Sequence, residues 1–267
     1  MKKKYLAGLF LSLGLILGAC GSDGTEGTKG GEQYTIEAIQ EAGVLNVGIK
    51  DDVPGFGQRN TSTDEIEGFE IEIAKKVAEE ITGSADNVNL TPVTAKTRGP
   101  LLDNGELDLV IATFTINDER KETYNFSEPY YEDAVGILVK KSDGYSGLKD
   151  MDGATIGVSQ SSTTTAAVEE EAEQYEIDLS FSEYASYPEI KSALDSGRIQ
   201  GFAVDRSILN GYVDDATEIL PDRFATQNYG IASKKNNTEL ADYVNELIEQ
   251  WKEDGTLEEI IAEWGMN

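Results

Sequence analysis

Residues Thr97–Tyr131 read TRGPLLDNGELDLVIATFTINDERKETYNFSEPYY. The run predicts a short helix over Gly99–Asn104 stopped by Gly105, then an apolar strand over Leu107–Ala112 that opens onto the hydroxyls of Thr113 and Thr115. Two arginines, Arg98 and Arg120, bracket that strand end, and the segment closes on Pro129, Tyr130 and Tyr131. In a chain of 267 residues with a formal charge of −28, this is a local basic, hydroxylated patch suited to a small carboxylate.

Upstream, Val44–Ile49 predicts a strand, and Phe69–Ile81 a helix whose Ile73, Val77 and Ile81 recur one turn apart beside Ala74 and Ala78. Val88–Val93 predicts a second strand, so the order is βαβαβ, which favours a parallel sheet. A similar pattern restarts after Gly144: a strand at Thr155–Val158, a helix at Thr164–Gln174 and a strand at Leu179–Glu183. A helix opened by Pro188 and ended at Gly197 then precedes an apolar strand at Gly201–Val204. Two such units in tandem make a cleft. Glu239–Trp264 predicts a C-terminal helix with Leu240, Val244, Leu247, Ile248 and Trp251 on one face, broken at Gly255 and resumed through Leu257, Ile260, Ile261 and Trp264. These stripes are core-packing faces.

The N-terminus begins Met1, Lys2, Lys3, Lys4 and continues uncharged from Tyr5 to Ala19, which predicts a secretory signal over residues 1–19. That run falls short of the roughly 20 residues a spanning helix needs. It ends Leu17, Gly18, Ala19, Cys20, which resembles the lipobox of bacterial lipoproteins, and Cys20 is the only cysteine. The expectation is a lipid-anchored, palmitate-bearing protein on the outer face of a bacterial cell membrane, since two or more acyl chains at about 0.8 kcal/mol per buried methylene hold firmly. Residues 20–33, with GSDGTEGTKGGEQ after the cysteine, read as a flexible leash.

Composition removes whole classes of chemistry. The chain has no histidine, so Ser-His and Cys-His triads and the commonest metal ligand are missing, and a single cysteine excludes an internal disulfide. No metal site, catalytic residue or cofactor is expected. The acidic balance repels nucleic acid and anionic lipid.

The stretch Gly68–Ile81 (GFEIEIAKKVAEEI), the lipobox, the TFTINDERKETYNFSEPYY run and the late GFAVDRSIL segment together resemble family 3 extracellular solute-binding proteins, the amino-acid receptors of bacterial ABC importers. The resemblance implies an α/β, two-lobe periplasmic-binding-protein-like (type II) fold, two α/β domains joined by two crossing strands. Lobe one is then discontinuous, 34–130 plus 229–267, lobe two is 135–224, and the hinges are 130–134 and 225–229. It also implies a monomer that captures an amino acid by lobe closure, hands it to permease subunits and performs no covalent chemistry.

Carried over residue by residue, Arg120 matches the arginine that grips the ligand α-carboxylate, with Thr115 and the neighbouring Thr113 at the same strand end. Thr163, in the loop Ser159–Thr165 before a helix, matches the threonine that completes that cradle, although most relatives have glycine where this chain has Ser161. Asp205 matches the acid that accepts the ammonium group. The loop GIKDDVPGFG at Gly48–Gly57 and the segment around Arg98 resemble receptors for glutamate and aspartate, where Lys50 and Arg98 would meet a side-chain carboxylate. Three cations against Asp205 fit an acidic ligand better than an amide, which would leave one cation unmatched. Tyr131 and Tyr184 are candidate walls.

Each assignment has a plainer counterpart. The plainer role is for Arg120 a helix cap or a surface pair with Glu119 or Glu122, for Asp205 a cap on a helix at Ser207–Tyr212, and for Lys50 and Arg98 solvated positions. Glutamine or asparagine is the alternative ligand. An adhesin or sensor, or a dehydratase-like enzyme, are the alternatives on the same fold.

Overall fold

The Leu45–Ile49 run (LNVGI) forms a strand paired along both edges, with Leu45, Val47 and Ile49 fully buried and Asn46 and Gly48 alternating between them. A computed structural model of the chain describes residues 35–266; the predicted signal, Cys20 and the glycine-rich leash lie outside the described residues. In chain order the first part runs α1 (Ile36–Ala42), β1 (Leu45–Ile49), β2 (Asp52–Val53), β3 (Gly57–Arg59), β4 (Ile66–Glu67), α2 (Phe69–Thr82), β5 (Val88–Pro92), α3 (Arg98–Asp103), β6 (Leu109–Ile111), α4 (Asp118–Thr123) and β7 (Tyr124–Phe126). The second runs β8 (Tyr131–Lys140), β9 (Thr155–Ser159), α5 (Thr164–Gln174), β10 (Ser180–Tyr184), α6 (Tyr187–Asp195), β11 (Gly201–Asp205), α7 (Arg206–Asn210) and β12 (Thr217–Ile219). The chain returns through β13 (Phe224–Tyr229) to β14 (Ala232–Lys234), α8 (Thr238–Glu253) and α9 (Thr256–Glu263).

Two sheets organise these elements. In the first, β1 pairs in parallel with β5 and β6, and β14 runs antiparallel between β6 and β7, giving the order β5-β1-β6-β14-β7. In the second, β9 lies in parallel between β10 and β11, and β8 runs antiparallel to β11 and β12. Strand β13 pairs antiparallel with the first half of β8, from Phe224↔Val135 to Tyr229↔Tyr131, so outgoing and returning chains form one ribbon between the sheets.

A small third sheet, β2-β3-β4, folds the Lys50 loop back onto the start of α2. Glycine makes that possible. Gly68 sits at φ 144 where a Cβ would lie 2.2 Å from the Phe56 carbonyl oxygen, and a Cβ at Gly57 would lie 2.2 Å from that of Lys50. Helix α2 then runs to Gly83, whose left-handed φ of 84 caps it.

Facing ends of the two sheets meet. The Tyr212 hydroxyl donates to the Asp52 carbonyl, and the Tyr187 N–H donates to the Asp52 carboxylate at 3.3 Å. Lys96 reaches Gln160 at 3.3 Å. Pro54 lies so near Gly211 that a Cβ there would stand 2.5 Å from its ring. One buried apolar cluster therefore runs from β1 and α2 through Phe56 to Tyr187, Phe202 and Ile208.

Several elements escape the sequence reading: α1, the short strands β2, β3 and β4, and the antiparallel strands β7, β12 and β14. Strands of two or three residues are too short to show a period. Strand β6 is shorter than Leu107–Ala112 because Asp108 spends its carboxylate on the Asn46 backbone N–H at 2.8 Å and Thr113 leaves the strand with φ 46. Helix α7 starts at Arg206 and ends at Asn210, before the expected Tyr212.

The crowding at Gly68 gives a direct expectation. Gly68→Ala should cost at least about 2 kcal/mol of stability, through clash and left-handed strain, and denaturant unfolding of the purified protein measures it.

Candidate ligand-binding site

The site starts at the end of β6, where Thr113 is held in the left-handed region at φ 46. Its N–H donates to Glu70 Oε1 at 2.6 Å and its carbonyl accepts from Arg98 Nη1 at 3.0 Å, while the same Nη1 reaches the Ala112 carbonyl at 2.6 Å. Glu70 Oε1 also accepts from the Tyr130 hydroxyl at 2.6 Å. Both Glu70 and Arg98 are buried, and Glu70 Oε2 and Arg98 Nε have no hydrogen-bond partner among the described residues. Burial pushes the Glu70 carboxyl up to about 7, against the pull of the Tyr130 and Thr113 bonds and of the Arg98 and Lys50 charges. Burial lowers Arg98.

Seven residues beyond Thr113, Arg120 in the first turn of α4 is turned inward. Its Nη1 donates to the Thr115 carbonyl at 2.7 Å, and it takes part in none of the ion pairs found among the described residues, so neither Glu119 nor Glu122 holds it. The guanidinium carbons of Arg98 and Arg120 lie 4.0 and 4.8 Å from the centre of the Phe114 ring, which brings two like charges against one side chain. Burial, then Arg98, bring Arg120 down to about 9.

The hydroxyls of Thr115 and Thr163 converge from the two sheets on one atom, Gln227 Oε1 of β13, at 2.8 and 2.9 Å. The loop before Thr163 keeps a left-handed residue at the position in question: Ser161 has φ 59. Asp205, buried at the end of β11, accepts from the Tyr229 hydroxyl and does not cap α7. That cap comes from Asp133, which accepts from the Ser207 N–H at 2.9 Å. Burial, reinforced by Asp133, raises the Asp205 carboxyl to about 7, and the Tyr229 bond and the charges of Arg98 and Arg120 oppose it.

Lys50 is buried and paired: its ammonium lies 2.9 Å from Asp52 Oδ1, 3.3 Å from the Val93 carbonyl and 4.9 Å from the centre of the Tyr187 ring. Arg98, Arg120, Thr113, Thr115, Thr163 and Asp205 are thus drawn together through Phe114, Gln227 and Tyr229, and Lys50 joins them through Tyr187. Tyr131 stacks on Tyr229 at 5.9 Å and donates to the Met266 carbonyl at 3.1 Å. Tyr184 instead lines a separate groove of about 560 Å³ with Gln160, Pro188 and Arg198. Asp52, Glu70, Phe114, Tyr187, Gln227 and Tyr229 have no part in the sequence reading of the site. Asp52 and Glu70 lie inside the quoted motifs as acids, but nothing local marks Gln227.

Residues 45–267 match the family of Bacterial extracellular solute-binding proteins, family 3, and the chain belongs to it. It is a solute-binding protein of the extracytoplasmic space, on a type II two-lobe α/β fold. The chain is 35% identical over 270 residues to the ABC transporter glutamine-binding protein GlnH of Bacillus subtilis, covering 99% of this chain and 97% of that protein. It is 30% identical over 271 residues to the glutamate-binding protein GluB of Corynebacterium glutamicum, covering 95% and 90%. Among solved structures, an ancestral arginine-binding protein bound to glutamine superposes with a TM-score of 0.75 at 32% identity, over 84% of this chain and 99% of that one.

The raised carboxyls make stability depend on pH. Between about 4.5 and 7 the folded chain holds protons on Glu70 and Asp205 that the unfolded chain has released, so this stabilisation is complete at the acid end and is lost as pH rises through about 7. The unfolding free energy of the wild type, measured by denaturant titration, should fall between pH 5 and pH 8 by up to about 3 kcal/mol more than that of Glu70→Gln; parallel curves would remove Glu70 from the explanation.

Proposed function

We propose that this chain is the substrate-binding lipoprotein of an amino-acid ABC importer, and that it captures an acidic amino acid, glutamate or aspartate. The observation that carries the reading is the pair of guanidiniums, Arg98 and Arg120, against Phe114, with the buried carboxylate of Asp205 close enough to act on both. Arg120 offers a planar fork to the α-carboxylate, and the hydroxyls of Thr115 and Thr163 donate to it from opposite lobes. Asp205 takes the ammonium group. A second carboxylate on the ligand then answers Arg98, with Lys50 beside it and Tyr131 behind, and Thr113 fixes the turn that aims these groups.

Two strands, β8 and β13, join lobe one (34–130 plus 229–267) to lobe two (135–224), and closure bends them at 130–134 and 225–229. Contacts from both lobes exist together only in the closed form, so the ligand shifts the balance toward it, and the permease receives that form. Acyl chains on Cys20 hold the monomer at the membrane.

A second reading, glutamine, is favoured by the Lys50–Asp52 pair, which already neutralises one of the three cations. GlnH, named for glutamine, is among the relatives.

Titration calorimetry separates the readings. Arg120→Ala should weaken every amino-acid ligand by at least about 100-fold, since a charge-assisted, bidentate contact is lost in a dry site. Arg98→Met should weaken glutamate and aspartate by about tenfold more than glutamine. An equal loss for all three would favour the amide reading.

A further inference from the structure

Glu70 takes no part in the contacts proposed above, yet it lies among them. Its Oε1 is saturated by the Tyr130 hydroxyl and the Thr113 N–H, both at 2.6 Å, while its Oε2 is buried without a partner. The charged and titratable groups that face it come from four directions: Arg98 on α3, Lys50 after β1, Tyr130 before β8 and Tyr187 on α6. Arg98, joined to Glu70 through the Ala112–Thr113 peptide unit, whose carbonyl accepts from Arg98 and whose N–H donates to Glu70, has an unpartnered Nε of its own. The two side chains thus share one electrostatic environment, and the proton count of Glu70 decides how much of the Arg98 charge is left over.

We propose that Glu70 sets the charge the pocket accepts: ionised, it balances Arg98 and the side-chain end of the pocket suits a neutral amide; protonated at Oε2, it frees Arg98 as counter-ion to a side-chain carboxylate. Binding glutamate then takes one proton from solvent onto Glu70 Oε2, and binding glutamine takes none. The amino-acid reading of the site underlies this inference. A carboxyl already raised to about 7 makes the exchange accessible near neutral pH. Asp205 also changes its proton count when it meets an ammonium group, but it does so equally for both ligands, so the difference between them belongs to Glu70.

The test is titration calorimetry of the detergent-solubilised lipoprotein with L-glutamate and with L-glutamine, between pH 6.5 and 8.5, in two buffers of different ionisation heat. Glutamate should take up as much as one proton more than glutamine, and its affinity relative to glutamine should fall about tenfold per pH unit above the midpoint. Glu70→Gln should erase the proton difference and flatten that ratio. Tyr130→Phe removes a bond that favours the ionised carboxylate, so it should move the fall to higher pH, and it answers the question if Glu70→Gln does not fold. Binding of both ligands with equal proton counts, or a Glu70→Gln protein that keeps the wild-type pH profile, overturns the role of Glu70 alone. No heat from either ligand overturns the glutamate and glutamine readings of the site together with this inference.

Discussion

One residue, Thr113, carries the geometry on which the candidate site depends. A threonine at φ 46 is strained, and it persists because Glu70 takes its N–H and Arg98 takes its carbonyl, each from a different helix. The two buried charges are tolerated for the same reason: each hydrogen-bonds a backbone group whose own partner was removed when β6 ended. Phe114 and Thr115 follow directly, so the direction of the strand end, the stacking of both arginines and the reach of the Thr115 hydroxyl are consequences of that clamp. The crowded glycines at 57 and 68 serve it from below, because they let the first turn of α2 come close enough for Glu70 to point inward.

Much of the scaffold was legible from period and punctuation. Strand β1, helices α2 and α5 and the break at Gly255 follow from apolar spacing and from glycines that end helices, because burial of one stripe is a local demand on sequence. The crossing strands were legible only through the resemblance. Short antiparallel strands such as β12 and β14 were not, since their pairing partners lie far away in sequence and their two or three residues carry no period.

Within the site, residue types were readable and their partners were not. Arg98 and Lys50 are visible as cations, but that Arg98 is occupied with two carbonyls 14 and 15 residues away, or that Lys50 rests on Asp52, depends on how the chain folds back. Gln227 is the clearest case. It meets Thr115 across 112 residues and Thr163 across 64, and a glutamine in a polar strand has no local signature. A count of cations against Asp205 alone therefore overstates the positive surplus, because Asp52 and Glu70 enter the sum only once the fold is known.

Gln227 and Tyr229 also change what the returning strand does. Both lie on β13, which pairs with β8 at the junction of the sheets, so the ribbon that would bend on closure also carries two of the polar groups of the site. In the proposed binding mode an α-carboxylate must draw the Thr115 and Thr163 hydroxyls away from Gln227 Oε1, and an ammonium group must share Asp205 with the Tyr229 hydroxyl. Each such ligand bond would replace a bond to β13, and the net gain is the difference between a charge-assisted contact and a neutral one, of order 1 kcal/mol apiece. In that proposed mode, a β13 strand whose own side chains hold Thr115, Thr163 and Asp205 keeps these groups satisfied without ligand and leaves the ligand only a modest surplus. That balance suits a carrier, which has to release its cargo as readily as it takes it up.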